Sequence, residues 1–308
     1  MGPLYCLLSA AGFGAMAIFA KLAYAEGVGL DALLILRFGL AGVLLLIQAL
    51  ARGALGGLDG RTVLIGLGMG AVGYASQAGL YLAALTRIDA SQVALVFCIY
   101  PLLVMVMAVL TRRERASRRR AAALAMAMAG IGLVLSGATA GAFDLLGAML
   151  ALGSAVVYTC YILVGDRVAA DVPPVALAAL VCTGGFGTFL VATVVRGGPD
   201  LGFSPAGWGW IGLLVLVSTV GAILLFFAGL ARVGPTVASL LSIVEPVVTV
   251  VGAALVFGES LSAVQGAGGS LVLAAVLVVQ WPARVRHTRR EGRDPIAPLE
   301  TLRLGAGA

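Results

Sequence analysis

The chain has 308 residues, of which 61% are hydrophobic and 11% are charged, and its formal net charge is +6. A mean hydropathy of +1.09 excludes a soluble globular domain and indicates an integral membrane protein. The positive charges are distributed along the chain in a way that fits membrane topology, so the excess does not predict nucleic-acid binding.

Apolar segments follow one another along the chain, and each is long enough to cross a bilayer core of about 30 Å. Their continuity favours helices over the alternating strands of a membrane barrel. We predict an all-α fold with ten membrane-spanning helices, five in each half, over residues 3–24, 31–51, 62–85, 89–110, 119–137, 142–164, 173–195, 208–231, 235–257 and 261–281.

One segment of the first half recurs in the second. Ala84–Ser117 and Gly229–Ser262 align without a gap at an offset of 145 residues, with nine of 34 positions identical. The first copy ends in a strongly basic stretch and the second does not, which indicates that the copies face opposite sides of the membrane. The pattern predicts two inverted five-helix repeats, over residues 1–137 and 142–281, followed by a basic tail over residues 282–308.

Lysine and arginine residues fall unevenly on the two sides of this arrangement. Sixteen of the 20, including those of the tail, belong to one side. Only Arg87 and Arg196 belong to the other, while Lys21 and Arg37 lie within spans. Because cytoplasmic loops carry the excess of positive charge, we expect a multi-pass protein of the cell inner (plasma) membrane with both termini in the cytoplasm. The tail is interpreted as a topology anchor on anionic lipid.

These features resemble the drug/metabolite transporter superfamily, in its EamA-type ten-helix branch, over residues 3–281. The resemblance is carried by a proline in the fourth helix of each repeat, a glutamate beyond each proline, and a glycine and two cations near the N-terminus: Pro101, Pro246, Glu114, Glu259, Gly14, Lys21 and Arg37. It implies alternating-access transport, usually export of metabolites, amino acids or drug-like compounds, through a central cavity lined by both repeats. Gly12-Phe13 stands where members often carry Trp-Gly, so no member's substrate is carried over.

Glu245 is the carboxylate nearest the middle of a predicted span. An ionised group at that depth costs about 2.5–3.5 kcal/mol or more, so it usually faces a cavity or carries a proton. Ser242 and Thr249 share its helix face, and we predict that all three bind substrate. We also expect Pro246 to leave the Ser242 carbonyl exposed to a cationic group. The alternative is a structural glutamic acid hydrogen-bonded to a neighbouring helix.

Tyr100 occupies the position in the first repeat that Glu245 occupies in the second. Together with Phe97 it predicts an aromatic wall opposite an acidic one, which suits an amphipathic or cationic substrate. Further substrate-binding side chains are predicted on the third and sixth spans: Tyr74, Gln77, Tyr81 and Tyr158, with Tyr161 beside the last. The tyrosines have an alternative interpretation as a lipid-facing interfacial belt.

A second set of residues is assigned to gating or structure. Lys21 and Arg37 either extend to the membrane surface and pair with Glu26 and Asp31, or form a gate or a site for a substrate carboxylate. The prolines are expected to kink their helices. Glu114 and Glu259 are expected to cap helix ends or close gates on opposite faces, with no basic residue near Glu259.

An enzyme is disfavoured because the only histidine, His287, lies in the tail, which excludes Ser-His-Asp and HExxH arrangements. No cofactor or metal site is predicted. The sequence therefore predicts a secondary transporter that exports a small molecule across a lipid bilayer, with protons as a hypothetical coupling ion through Glu245. The alternative is a non-transporting membrane scaffold or assembly subunit, and a homodimer is left open.

Overall fold

The computed structural model describes residues 1–110, 118–136, 144–168, 172–242 and 244–280. Over these residues the backbone is helical almost throughout and contains no strand, which confirms the all-helical class. The first half contains α1 (Gly2–Ala25), α2 (Leu30–Ala51), α3 (Gly60–Gly68), α4 (Ala75–Leu85), α5 (Ala90–Phe97), α6 (Tyr100–Leu110) and α7 (Arg118–Ser136). The second half contains α8 (Leu145–Val168), α9 (Pro174–Val195), α10 (Pro205–Val215), α11 (Ala222–Leu241), α12 (Val244–Phe257) and α13 (Ala263–Gln280).

Six helical stretches of the described residues are long and apolar enough to cross a membrane: Gly2–Ala25, Leu30–Ala51, Gly60–Leu85, Leu145–Val164, Pro174–Val195 and Pro205–Phe226. Shorter apolar helices cover Ala90–Val104, Ala121–Val134, Val244–Phe257 and Ala263–Val278. A helix satisfies its backbone hydrogen bonds internally, which lipid requires of any segment that crosses it. The chain is thus a multi-pass membrane protein.

The helices of the two halves interleave. α1 packs mainly on α11 and α12, α2 on α9, α4 on α8, and α7 on α13. Each of these contacts joins a helix from the first half of the chain to one from the second. The buried core therefore lies between the halves, and this is where a site shared by both has to form.

Both prolines singled out by the sequence coincide with a complete break in a helix. The predicted span over 89–110 is split at Cys98–Ile99 into α5 and α6, and α12 begins only at Val244. Pro101 and Pro246 each lie in the first turn of the helix that follows the break, where a missing backbone N–H costs little. The expected kinks are helix starts in the structure.

A predicted turn between residues 231 and 235 is wrong, because α11 continues without a break to Leu241. The N-terminal part of α1 packs along this stretch, with Gly2 against Arg232 and Val233 and Cys6 against Gly229. Tertiary contact along α1 therefore outweighs the local preference of this sequence for a turn.

Two π-helical segments interrupt long helices at corresponding places in the two halves. One covers Met69–Tyr74 between α3 and α4, and the other covers Leu216–Gly221 between α10 and α11. A π-helical turn holds an extra residue, which rotates the following side chains and is common at functional sites. Nothing in the hydropathy pattern indicated either segment.

The first π-helical segment touches α9 through glycines. A Cβ atom at Gly70 would overlap the carbonyl oxygen of Val181, and one at Gly184 would overlap the carbonyl oxygen of Leu67. Small residues of this kind allow backbones to approach closely where lipid supplies no hydrophobic force between helices.

We expect Gly70→Ala to destabilise the protein by about 1–3 kcal/mol, because the added methyl group must push α9 away. Gly68→Ala, two residues earlier and with no atom within 4 Å of the added Cβ, is the matched control and should be neutral. The measurement is the thermal unfolding midpoint of both purified variants in detergent. Equal midpoints would contradict the close packing at Gly70.

Candidate functional site

A cavity lies between the halves, beside the two helix breaks. It is lined by Tyr81, Ala94, Phe97, Cys98, Tyr100 and Pro101 from the first half, and by Ser242, Glu245, Pro246, Thr249 and Val276 from the second. The structure thus brings six of the predicted substrate-binding side chains, and the prolines of both helix starts, to one place. Aromatic rings dominate one wall, and a carboxylate with two hydroxyl groups occupies the other.

The helix break before α12 places Glu245 at the N-terminal turn of that helix. The backbone N–H of Glu245 donates to the Ser242 carbonyl at 3.0 Å, so this carbonyl already serves as an acceptor. The break thus supplies this carbonyl with a backbone donor in place of the one that Pro246 lacks. The acidic group in the cavity wall is the side chain of Glu245.

Close contact with α1 fixes the position of Glu245. A Cβ at Gly14 would come within 2.6 Å of the Glu245 carbonyl oxygen, so only glycine allows the two backbones to lie this close. The single proton of the Thr249 hydroxyl is shared between the Gly14 carbonyl, at 2.8 Å, and the Glu245 carbonyl, at 3.2 Å. The buried Thr249 hydroxyl is therefore committed to holding α1 and α12 together.

The carboxylate of Glu245 has no side-chain hydrogen bond or ion pair with any residue that the structure describes. Its neighbours in the cavity wall are aromatic rings, small side chains and the Ser242 side chain. A carboxylate without a protein partner at this depth needs a ligand, a proton or water to offset its desolvation. This arrangement can bind a cationic group.

Aromatic rings continue from the cavity into the protein. Tyr100 and Tyr158 lie 4.8 Å apart between ring centroids, Tyr158 and Tyr161 lie 6.0 Å apart, and Tyr161 and Tyr74 lie 5.8 Å apart. We call these four residues the tyrosine row. They belong to α6, α8 and the first π-helical segment, and each is partly buried.

Two rings branch from the tyrosine row at its cavity end. Phe97 lies 5.2 Å from Tyr100 and 5.3 Å from Tyr81 between ring centroids. Tilted and edge-on contacts of this kind are the favoured arrangements of aromatic pairs. These rings form the aromatic part of the wall that lines the cavity with Glu245.

Arg37 lies at the other end of the tyrosine row, and only 2% of its surface is exposed. Its Nε atom donates to the Thr219 hydroxyl and its Nη2 atom donates to the Tyr74 hydroxyl, each at 3.2 Å. The guanidinium also lies 5.5 Å from the ring centroid of Phe38. Of the two interpretations of Arg37, pairing with a loop carboxylate is therefore wrong.

Gln77 is buried between α4 and α8, away from the cavity lining. Its side-chain amide donates to the Ser154 hydroxyl at 3.1 Å, and that hydroxyl donates back to the backbone carbonyl of Gln77 at 3.0 Å. This reciprocal pair of hydrogen bonds joins α4 to α8. Gln77 therefore makes a contact between helices and does not line the cavity.

Lys21 and Glu259 form a charged cluster at one end of the helix bundle. The Lys21 Nζ atom lies 3.0 Å from the Glu259 carboxylate and 3.6 Å from that of Asp89. Glu259 also accepts hydrogen bonds from the backbone N–H groups of Ala90 and Ser91, at 3.1 and 3.2 Å, and from the Ser91 hydroxyl at 2.8 Å. A carboxylate that follows α12 thus caps the N-terminus of α5.

Two sequence-based expectations about this cluster are wrong. Glu259 does have a basic partner, and Lys21 does not pair with Glu26 or Asp31. Asp31 instead binds Arg196 at 2.9 Å, and Glu26 accepts a hydrogen bond from the Ser204 hydroxyl. The partners are 165 to 238 residues apart in sequence, so local spacing could not identify them.

The pKa of Glu259 lies below the ordinary value of a glutamate. Partial burial alone would raise that pKa, but hydrogen bonds from Ser91 and Lys21 and the charge of Lys21 together outweigh it. The carboxylate form is therefore the one that holds this cluster together.

Several contributors to the site were not predicted. Thr219, Ser154 and Ser91 are small hydroxyl residues within apolar helices, where their usual role is to satisfy nearby backbone groups. Only the tertiary fold shows that each binds a predicted site residue. Glu114 and the basic tail over 282–308 lie outside the described residues.

Comparisons with known proteins agree with a transporter fold. The sequence model of the EamA-like transporter family matches residues 1–136 and 145–281. A solved crystal structure of 21% sequence identity covers 88% of this chain and 96% of its own, with a TM-score of 0.62, which shows a similar fold.

The chain is also similar to the uncharacterized transporter YcbK of Bacillus subtilis (strain 168), with 25% identity over 179 residues. That alignment covers 55% of this chain and spans 57% of the length of the relative. The family match, in contrast, extends over both halves, and the protein therefore belongs to the EamA-like transporter family.

Proposed function

We propose that the protein is a secondary transporter that exports small metabolites, amino acids or drug-like amphipathic or cationic compounds by alternating access. The observation that carries this proposal is the Glu245 carboxylate, which faces a cavity built by both halves and has no partner among the described residues. An aromatic wall opposite a carboxylate attracts an organic cation through its charge and through the faces of the rings.

We further infer ten membrane spans, arranged as two inverted five-helix repeats with both termini in the cytoplasm. The six long and four shorter apolar helices of the described residues support this number. The helix starts at Pro101 and Pro246 and the two π-helical segments recur at corresponding places in the halves, which supports the duplication. Discontinuous helices that meet at mid-membrane are typical of transporters with inverted repeats.

The cluster of Lys21, Asp89 and Glu259 is proposed as a gate at its end of the bundle. Lys21, near the end of α1, binds Glu259, which follows α12. Glu259 in turn accepts a hydrogen bond from Ala90 at the start of α5. Opening the cavity toward this end requires α5 to separate from Glu259, which breaks several charge-assisted hydrogen bonds together.

Glu245 is proposed as the site of proton coupling. A carboxylate binds a cationic substrate only when it is ionised, and a proton that takes its place releases the substrate. Competition between proton and substrate for one group is sufficient to exchange one for the other across a membrane.

We expect Glu245→Gln to reduce substrate counterflow in proteoliposomes about tenfold or more, because a charge-assisted hydrogen bond contributes about 1.5–3 kcal/mol. The probe is the compound that most raises the thermal stability of the purified protein among amino acids, polyamines, nucleosides and cationic dyes. Asp200→Asn, on an exposed loop, is the control and should retain full flux.

In the same assay Tyr100→Phe should retain flux and Tyr100→Ala should lose most of it, since only the ring face contributes to cation binding. Flux that is unchanged in folded Glu245→Gln and Tyr100→Ala proteins would reject the transport site. A protein that folds and transports none of these compounds would instead favour the scaffold alternative.

We expect wild-type counterflow to vary with pH between about 5 and 8 and to fall on the acidic side, where protons compete with substrate at Glu245. The Glu245→Gln variant should show residual flux with no such dependence. Counterflow that is constant over this range in the wild type, with full activity in the variant, would exclude coupling through this residue.

We expect Glu259→Gln to weaken the gate and to lower the thermal midpoint, at a cost of about 1–3 kcal/mol. Because the pKa of Glu259 is depressed in the folded protein, the gate's contribution is present above the ordinary glutamate pKa and is lost as the pH falls through the folded value. Wild-type stability should therefore decrease on acidification below about pH 4.5 more steeply than that of the variant.

Asp31→Asn is the matched control, because it removes an exposed pair with Arg196 that should contribute about 1 kcal/mol or less. The measurement is the thermal midpoint of all three proteins as a function of pH. Parallel pH profiles for the wild type and Glu259→Gln would show that Glu259 does not hold the gate closed.

A further inference from the structure

Arg37 is a buried cation whose partners are all neutral. Its hydrogen bonds go to the hydroxyl groups of Thr219 and Tyr74, and its aromatic neighbours are Phe38 and Tyr74. No carboxylate of the described residues lies within ion-pair distance of it. The ion pairs found between described residues involve Lys21, Arg87 and Arg196 instead.

The guanidinium has bonding capacity left over. It carries five N–H donors in a planar fork, and the two hydrogen bonds account for two of them. That fork matches the two oxygens of a carboxylate. A buried cation without a counter-charge is costly, and aromatic faces offset only a part of this cost.

Both partners of Arg37 lie on the π-helical segments. Tyr74 ends the first segment, and Thr219 lies within the second, where its hydroxyl donates to the Leu214 carbonyl at 3.0 Å. Neutral hydroxyl groups can be displaced by an anion at small cost, since a charge-assisted hydrogen bond is about twice as strong as a neutral one. The partners of Arg37 therefore do not block a ligand carboxylate.

The tyrosine row connects Arg37 to the cavity. It begins at Tyr74, which binds Arg37, and ends at Tyr100, which lines the cavity with Glu245. The row thus separates a cation and a carboxylate that each lack an opposite charge among the described residues.

We propose that Arg37 is a carboxylate-binding subsite, so that the substrate is an elongated zwitterion whose ammonium group binds Glu245 and whose carboxylate binds Arg37. Such a molecule is an ω-amino carboxylate or a short peptide with its backbone along the tyrosine row. The ring-to-ring steps of the tyrosine row, 4.8, 6.0 and 5.8 Å between centroids, lie between Arg37 and Glu245, which favours a molecule longer than an α-amino acid. The inference rests on the proposed transport function and specifies its substrate.

The test is a series of ω-amino carboxylates from β-alanine to aminododecanoate, compared with unbranched alkylamines of the same lengths. Binding to the full-length purified protein is measured by calorimetry. Each added methylene should raise the affinity of an alkylamine about fourfold through burial alone. The ratio of the two affinities at each length isolates the contribution of the carboxylate.

We expect this ratio to pass through a maximum at one chain length, where the zwitterion binds about 10–100-fold more tightly than the amine. Arg37→Gln should remove the maximum and leave the alkylamines unaffected, and Arg37→Lys should restore a part of it. Arg196→Gln, which removes an exposed arginine, should leave the maximum in place. Glu245→Gln should weaken both series.

A ratio that does not vary with length in the wild type would overturn the proposal, as would a failure of every ω-amino carboxylate to bind. This result needs no variant, so it remains decisive if Arg37→Gln does not fold. Alkylamines that bind and are transported without any gain from a carboxylate would leave the Glu245 cavity intact and reject only the Arg37 subsite.

Discussion

The close approach of α1 to α12 is the contact on which the site depends. Gly14 has no side chain, so the backbones of α1 and α12 meet at the carbonyl of Glu245. The Thr249 hydroxyl contacts one backbone carbonyl of each helix. α12 also begins here, because Pro246 tolerates only the first turn of a helix. One glycine, one threonine and one proline thus determine where the carboxylate of Glu245 is held.

The distribution of charge follows a simple electrostatic logic. Lys21 and Glu259 meet at the end of the bundle, where they compensate each other and cap the start of α5. Arg37 and Glu245 lie away from this cluster, and neither has an oppositely charged partner among the described residues. Since the cost of an isolated charge rises as water is excluded, the paired charges stabilise the protein and the unpaired ones are available for a ligand.

Part of the site followed from the sequence. The recurrence of Pro101 and Pro246 located both helix breaks, and the depth of Glu245 in an apolar segment marked it as a cavity residue. The hydrogen bond from the backbone N–H of Glu245 to the Ser242 carbonyl did not follow from the sequence, because it depends on how the backbone turns at the helix break. The predicted turn at residues 231–235 also failed, because α1 packs along that stretch and keeps it helical.

The sequence by itself determined the class of protein, the helical fold and the residues of interest, because apolar length, charge asymmetry and proline act locally along the chain. The tertiary structure alone decided the partners. Lys21 and Glu259 are 238 residues apart, and Arg37 and Thr219 are 182 apart. Which helices interleave depends on small differences in packing between many apolar faces, and no periodicity in one helix specifies the helix that covers it.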